Sequence, residues 1–162
     1  MDNERAQFIE EFGLVFEGLG SGRMLGRVLA LLMISDPPTL SAEEIAVALK
    51  ASRGSVSQGT RALIQMGMIR RISVPGERRD YFQIRPYAWT EAIRREGATI
   101  DRMLTVFQHG LCLTEGHSPE SRLALEESVA FMQFWKRRMG ALFQEWDEER
   151  ERIFGERSNR HP

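Results

Sequence analysis

The chain has 162 residues, 42% of them hydrophobic and 28% charged, with one cysteine and a formal net charge of −1. That size supports one well-filled core with helical elaboration, and a single thiol excludes an intramolecular disulfide framework, as expected of a reducing cytoplasm. The longest apolar run, residues 28–34, is too short to span a bilayer and the charged opening MDNERAQ lacks a signal-peptide pattern, so a soluble cytoplasmic protein without a membrane anchor is expected.

In chain order, Phe8, Phe12 and Phe16 recur every four residues with Ile9, Val15 and Leu19 beside them, which predicts a helix over 4–19 with one apolar face. GLGSGR breaks it. Ser21 is placed to cap a second helix carrying MLGRVLALLMI, which SDPPTL stops because proline cannot continue the ladder. Ser41 and Glu44 have capping-box spacing and open a short helix through Leu49. KAS is a turn, and Ser52 caps a further helix in which Val56, Leu63 and Ile64 face inward. Gly59 and Thr60 in that helix are expected to let the preceding helix approach closely, and Gly67 to end it in a left-handed backbone.

MIRRISV and YFQIR flank Pro75-Gly76 and predict a hairpin. From Tyr87 the helical period returns through Trp89, Ile93, Ile100, Met103, Leu104 and Phe107 to about Leu113. After the loop TEGHSPE, a terminal helix of roughly 35 residues carries Leu125, Val129, Met132, Trp135, Met139, Leu142, Trp146 and Ile153 at three-four spacing. The fold expected is mainly α with a small β-hairpin wing (α+β): a winged helix-turn-helix over 21–86, a helical dimerisation region over 1–20 and 87–155, and a flexible tail over 156–162.

Charge is unevenly placed. Residues 50–86 hold eight basic side chains against two acidic ones, a net +6, so the remainder carries −7. A basic block in an otherwise acidic chain is the electrostatic footprint of a nucleic-acid-binding face. The candidate recognition helix offers Ser52, Arg53, Gly54, Ser55, Ser57, Gln58 and Arg61 to a major groove, and its capped N-terminus offers free N–H groups to a phosphate. Arg78 and Arg79 at the hairpin tip would meet the backbone or minor groove, with Glu77 and Asp80 holding them extended and Asp80 pairing with one of them. The competing expectation is a winged helix that serves only protein contacts.

The segment GRVLALLMISDPPTLSAEEIAVALKASRGSVSQGTRALIQMGMIRRISVPGERRDYF resembles the GbsR-like branch of the MarR transcriptional regulators, and within it the mycobacterial repressors of lipid-exporting drug efflux pumps. The resemblance rests on GR before an apolar helix and DP, S-x-x-S opening the recognition helix, L-I-Q-M-G closing it, and G-E-R-R-x-Y-F in the wing. It implies a homodimeric repressor gripping a pseudo-palindromic double-stranded operator. Its release would come from a small lipophilic or cationic effector bound between the dimerisation helices and the DNA domain. Independently, a terminal helix with so long an apolar stripe needs a partner to cover it.

Phe107, Phe131, Phe134 and Trp135 are the candidate effector-lining residues, against the plainer role of core and interface. His109, Cys112 and His117 form H-x2-C-x4-H, which matches no structural zinc spacing and lacks a fourth ligand; a buried thiol and partly exposed imidazoles are expected instead. No metal or other cofactor is expected. Nor is catalysis, since no nucleophile-base pair, phosphate loop or paired-carboxylate pocket is visible.

Overall fold

A computed structural model of the chain describes residues 2–77 and 79–158, the last three by backbone only. It contains α1 (Asn3–Gly18), α2 (Arg23–Met33), β1 (Leu40–Ser41), α3 (Ala42–Leu49), α4 (Arg53–Gln65), β2 (Ile69–Ser73), β3 (Asp80–Ile84), α5 (Ala88–Leu113) and α6 (Pro119–Ser158). The residues divide into two compact units, Met1–Ala92 and Ile93–Pro162.

The first unit is built around α2. Val28, Leu29 and Ala30 are fully buried there, and Ile45, Val56, Leu63 and Ile69 close over them from α3, α4 and β2. Phe8, Phe12 and Phe16 of α1 form an aromatic ladder that meets Trp89 edge-on, with centroids 6.2 Å from both Phe12 and Phe16. α1 crosses α2 at glycine: a Cβ on Gly26 would lie 2.6 Å from the Phe12 carbonyl oxygen and 2.8 Å from the Gly13 Cα. Arg27, next along α2, places Nε 2.8 Å from Glu10 Oε1, an ion pair not aligned as a hydrogen bond, and its Nη2 donates to the Leu49 carbonyl at 2.8 Å.

Local signals behave as expected. The Ser41 hydroxyl accepts from the Glu44 N–H at 3.2 Å while Glu44 accepts from the Ser41 N–H at 2.7 Å, completing the capping box. Those bonds from Ser41 hold the Glu44 carboxyl below its usual range. Lys50 ends α3 in a left-handed backbone (φ 50°) and Gly67 follows α4 at φ 66°.

Five details differ from expectation. Ser21 does not cap α2: Gly22 is the N-cap, without a side-chain bond. The close approach at Gly59 comes from α2 rather than the preceding helix, with Met24 Cγ and Val28 Cγ2 at 3.4 and 3.6 Å from a Cβ placed there. Thr60 is buried and donates back to the Val56 carbonyl, which satisfies its hydroxyl within α4. The sheet has a third strand, β1, in the order β1-β3-β2, pairing Leu40 with Phe82 and Ser41 with Tyr81. α6 runs to Ser158, three residues past the expected end at Gly155, because nothing in GERS stops a ladder already formed; the rest of the expected tail, 159–162, lies outside the described residues.

The second unit holds most of α5 and all of α6, joined by a turn with Gly116 at φ 81°. Arg94 donates to both carboxylate oxygens of Asp147 at 3.0 Å and stacks over Phe143. Lys136 pairs with Asp101 at 2.6 Å. Leu125 of α6 sits against Gly110 of α5, where a Cβ would come within 3.1 Å of it. From residue 93 to residue 155 no described residue is buried, and the Leu125, Val129, Met132, Trp135 and Met139 stripe is only half-covered. No described helix is long and apolar enough to cross a membrane.

Candidate nucleic-acid interface

α4 is held by its apolar side and presents its polar side to solvent. Val56, Gly59, Thr60 and Leu63 are buried, while Ser52, Arg53, Gly54, Ser57, Gln58 and Arg61 are exposed. The Ser52 hydroxyl accepts from the Ser55 N–H at 3.1 Å and lies 2.9 Å from the Ser55 hydroxyl, so half-buried Ser55 is engaged in the cap. Arg61 folds back along the helix, its Nε donating to the Ser57 carbonyl at 3.2 Å. Gly54 meets only the Ser52 hydroxyl, at 3.9 Å from a Cβ, and leaves the N-terminal turn open to approach.

The hairpin flanks this face. Its register runs from Ile69 opposite Ile84 to Ser73 opposite Asp80, with Gly76 at φ 84° in the turn and buried Phe82 anchoring β3 to the core. Arg79 is exposed at the tip; Arg78, the other expected wing residue, lies outside the described residues.

Among the described residues, Asp80 pairs not with its neighbour Arg79 but with Arg71 across the ladder, at 3.2 Å; the expected alternative, a pair with Arg78, lies outside the described residues. Arg71 lies two residues along β2 from Ser73, the register partner of Asp80, so it shares a face of the sheet with Asp80 and reaches it diagonally. Loss of hydration and the Glu77 and Glu44 carboxylates push the Tyr81 phenol above its ordinary value. Arg70 donates twice to the side-chain amide oxygen Oε1 of Gln83, at 2.8 and 3.2 Å.

Sequence reasoning missed Glu43. Its carboxylate, in the first turn of α3, lies 3.7 Å from Arg53 of α4 and 3.7 Å from Arg79 of the wing. These three side chains, with Ser57, Thr60, Asp80 and Phe82, line an open cavity of about 410 Å³ between helix and hairpin. Only the folded sheet brings residues 43 and 79 together, so no sequence spacing announces the cluster.

The candidate effector residues do not share one cavity. Phe107 lines a hollow of about 250 Å³ with Met103 and Val106, and Trp135 lines another of about 340 Å³ with Arg94, Gly97, Gly140 and Phe143. Phe131 and Phe134 are exposed and line neither; Arg138 stacks on Phe134. Cys112 is exposed, contrary to the buried thiol expected, because it falls on an uncovered side of α5. Among the described residues no cluster of His, Cys, Asp and Glu is placed to hold a metal.

Comparison with known proteins agrees with this architecture. Residues 87–150 match the family described as MmpR5-like MarR family transcriptional regulator, and residues 24–80 match the MarR family. The HTH-type transcriptional regulator MmpR5 of Mycobacterium tuberculosis is 36% identical over 121 residues, covering 75% of this chain and 73% of that protein. A crystal structure of a transcriptional regulator superposes with a TM-score of 0.76 at 30% identity, covering 90% of this chain and 99% of the other. The capped and exposed α4, the three-stranded wing and these relatives converge: the chain belongs to the MarR family of DNA-binding transcriptional regulators, which are not enzymes.

Proposed function

We propose that this protein is a cytoplasmic homodimeric repressor that binds a pseudo-palindromic operator in double-stranded DNA and leaves it when a small lipophilic effector binds. Ser57, Gln58, Arg53 and Arg61 of α4 read or grip the major groove, the N-terminal turn of Ser52, Gly54 and Ser55 receives a phosphate, and Arg79 with Arg78 meets the flanking backbone. The observation that carries this reading is a capped helix, exposed along its whole polar side, beside an arginine-tipped hairpin within a segment of net +6. The absence of any buried residue among the described positions of 93–155 supports the dimer, since a second copy would cover the half-exposed stripe. Two such copies would set their recognition helices about 34 Å apart, one turn of DNA. The hollows at Phe107 and Trp135 are the candidate effector seats, and the resemblance to the efflux-repressor branch points to a transporter or efflux gene as target.

The test is duplex binding across a salt series, beginning with the protein's own promoter region. Affinity should fall steeply as salt rises, with a log–log slope near −0.9 per neutralised phosphate. No binding to any duplex at low salt would overturn the reading and leave a winged helix used for protein contacts. Addition of lipophilic or cationic molecules to the bound complex then tests release.

A further inference from the structure

Glu43 poses an electrostatic puzzle: it puts a carboxylate in the middle of the face assigned to phosphate. Local structure does not require it, because the capping box of α3 is completed by Glu44 and Ser41. One acid in the first turn satisfies the helix dipole, and Glu44 already supplies it. Glu43 instead stands between two cations from different elements, Arg53 at the start of α4 and Arg79 on the wing, each at 3.7 Å. Those separations exceed the 2.7–2.9 Å of a charge-assisted hydrogen bond, so the contacts are loose. The side chains are open to water, about 54% exposed for Glu43, 86% for Arg53 and 62% for Arg79. Pairs of that kind are weak and readily exchanged for another anion.

We infer that Glu43 is an internal competitor for phosphate, a brake on DNA affinity that occupies Arg53 and Arg79 in the free protein and repels the backbone in the complex. The inference rests on the proposed contacts of those two arginines with DNA. Binding must exchange one carboxylate for phosphates at both arginines, and the displaced carboxylate remains in the cavity between helix and wing. The cost falls on the electrostatic part of binding, which every duplex shares. It therefore holds sequence-independent association down and leaves operator occupancy more dependent on the base contacts of Ser57 and Gln58.

The experiment compares wild type, Glu43→Gln, the double variant Arg53→Ala with Arg79→Ala, and the triple variant. Each is measured on a promoter-region duplex and on a scrambled duplex of equal length and composition, across a salt series. Glu43→Gln should tighten binding to both duplexes about tenfold at low salt, the scale of two exposed ion pairs. Its salt slope should steepen by about 0.9, the equivalent of one further phosphate neutralised. The tightening should vanish in the Arg53→Ala, Arg79→Ala background, and thermal unfolding should show the fold unchanged because the capping box is untouched. Weaker or unchanged binding of Glu43→Gln overturns the brake, weaker binding making Glu43 a buttress for the arginines. Tightening on the promoter duplex alone, or persisting without the arginines, overturns it too. The proposed arginine contacts fail separately, if the double variant binds both duplexes as wild type does.

Discussion

Ser55 and Ser57 are two residues apart on α4 and are committed to different tasks. The Ser55 hydroxyl lies against Ser52 in the cap, whereas the Ser57 side chain is exposed at the mouth of the helix–wing cavity, with Gln58 beside it. Replacing Ser57 or Gln58 by alanine should leave thermal stability nearly unchanged and relax sequence preference, by roughly 1–3 kcal/mol for each base that goes unread. Affinities for a panel of single-base operator variants measure this; a uniform loss across the panel would make these residues backbone contacts. What could be read in the sequence at this scale was local. Ser41, Glu44 and Ser52 announce their caps within three residues of chain. The partners of Asp80, Arg79 and Glu43 depend on strand register and on how the sheet meets α3, and Cys112 on which side of α5 is covered, none of which a linear spacing encodes.

At the scale of elements, the contact that fixes α1 to α2 is a crossing of glycines. A methyl group at Gly26 would meet the Phe12 carbonyl, the Gly13 Cα and the Phe16 Cβ, all within 2.9 Å and none at the end of a flexible side chain. Gly26→Ala should therefore push α1 off α2 and cost roughly 1–3 kcal/mol of stability. Thermal or urea unfolding measures the loss; unchanged stability would mean that α1 shifts without penalty. The Gly-Arg pair that opens the resemblance to the MarR regulators thus has a physical content invisible in the sequence. Gly26 admits α1, while Arg27 joins Glu10 of α1 to the last turn of α3, at the corner that leads into α4. The helices and the hairpin were legible from periodicity and turn residues; β1 was not, because two residues have no period. Its pairing is nonetheless what brings the start of α3 beside the wing.

Over the whole molecule, burial is lopsided. Every fully covered apolar side chain described lies between Ile9 and Ala88, and the long helices that follow contribute none beyond Ala88 itself. The three-four stripe on α6 was visible in the sequence, but its half-exposed state was not, since periodicity reports which residues share a face and not what covers it. Gly97 and Gly140, which line one hollow between α5 and α6, carry the same imbalance into the backbone. Both sit inside helices, and a Cβ on either would touch nothing within 4 Å. A helical glycine costs about 1 kcal/mol relative to alanine, so an isolated chain would fold better without them. Gly97→Ala and Gly140→Ala should each raise helical stability by that amount in thermal unfolding while weakening self-association in sedimentation. Stability gained with association intact would mean that no second copy seats in that hollow and would leave it to the effector proposed there. With association weakened, the two glycines are folding energy forgone for assembly, the single chain left less stable than its own residues permit so that the pair can close.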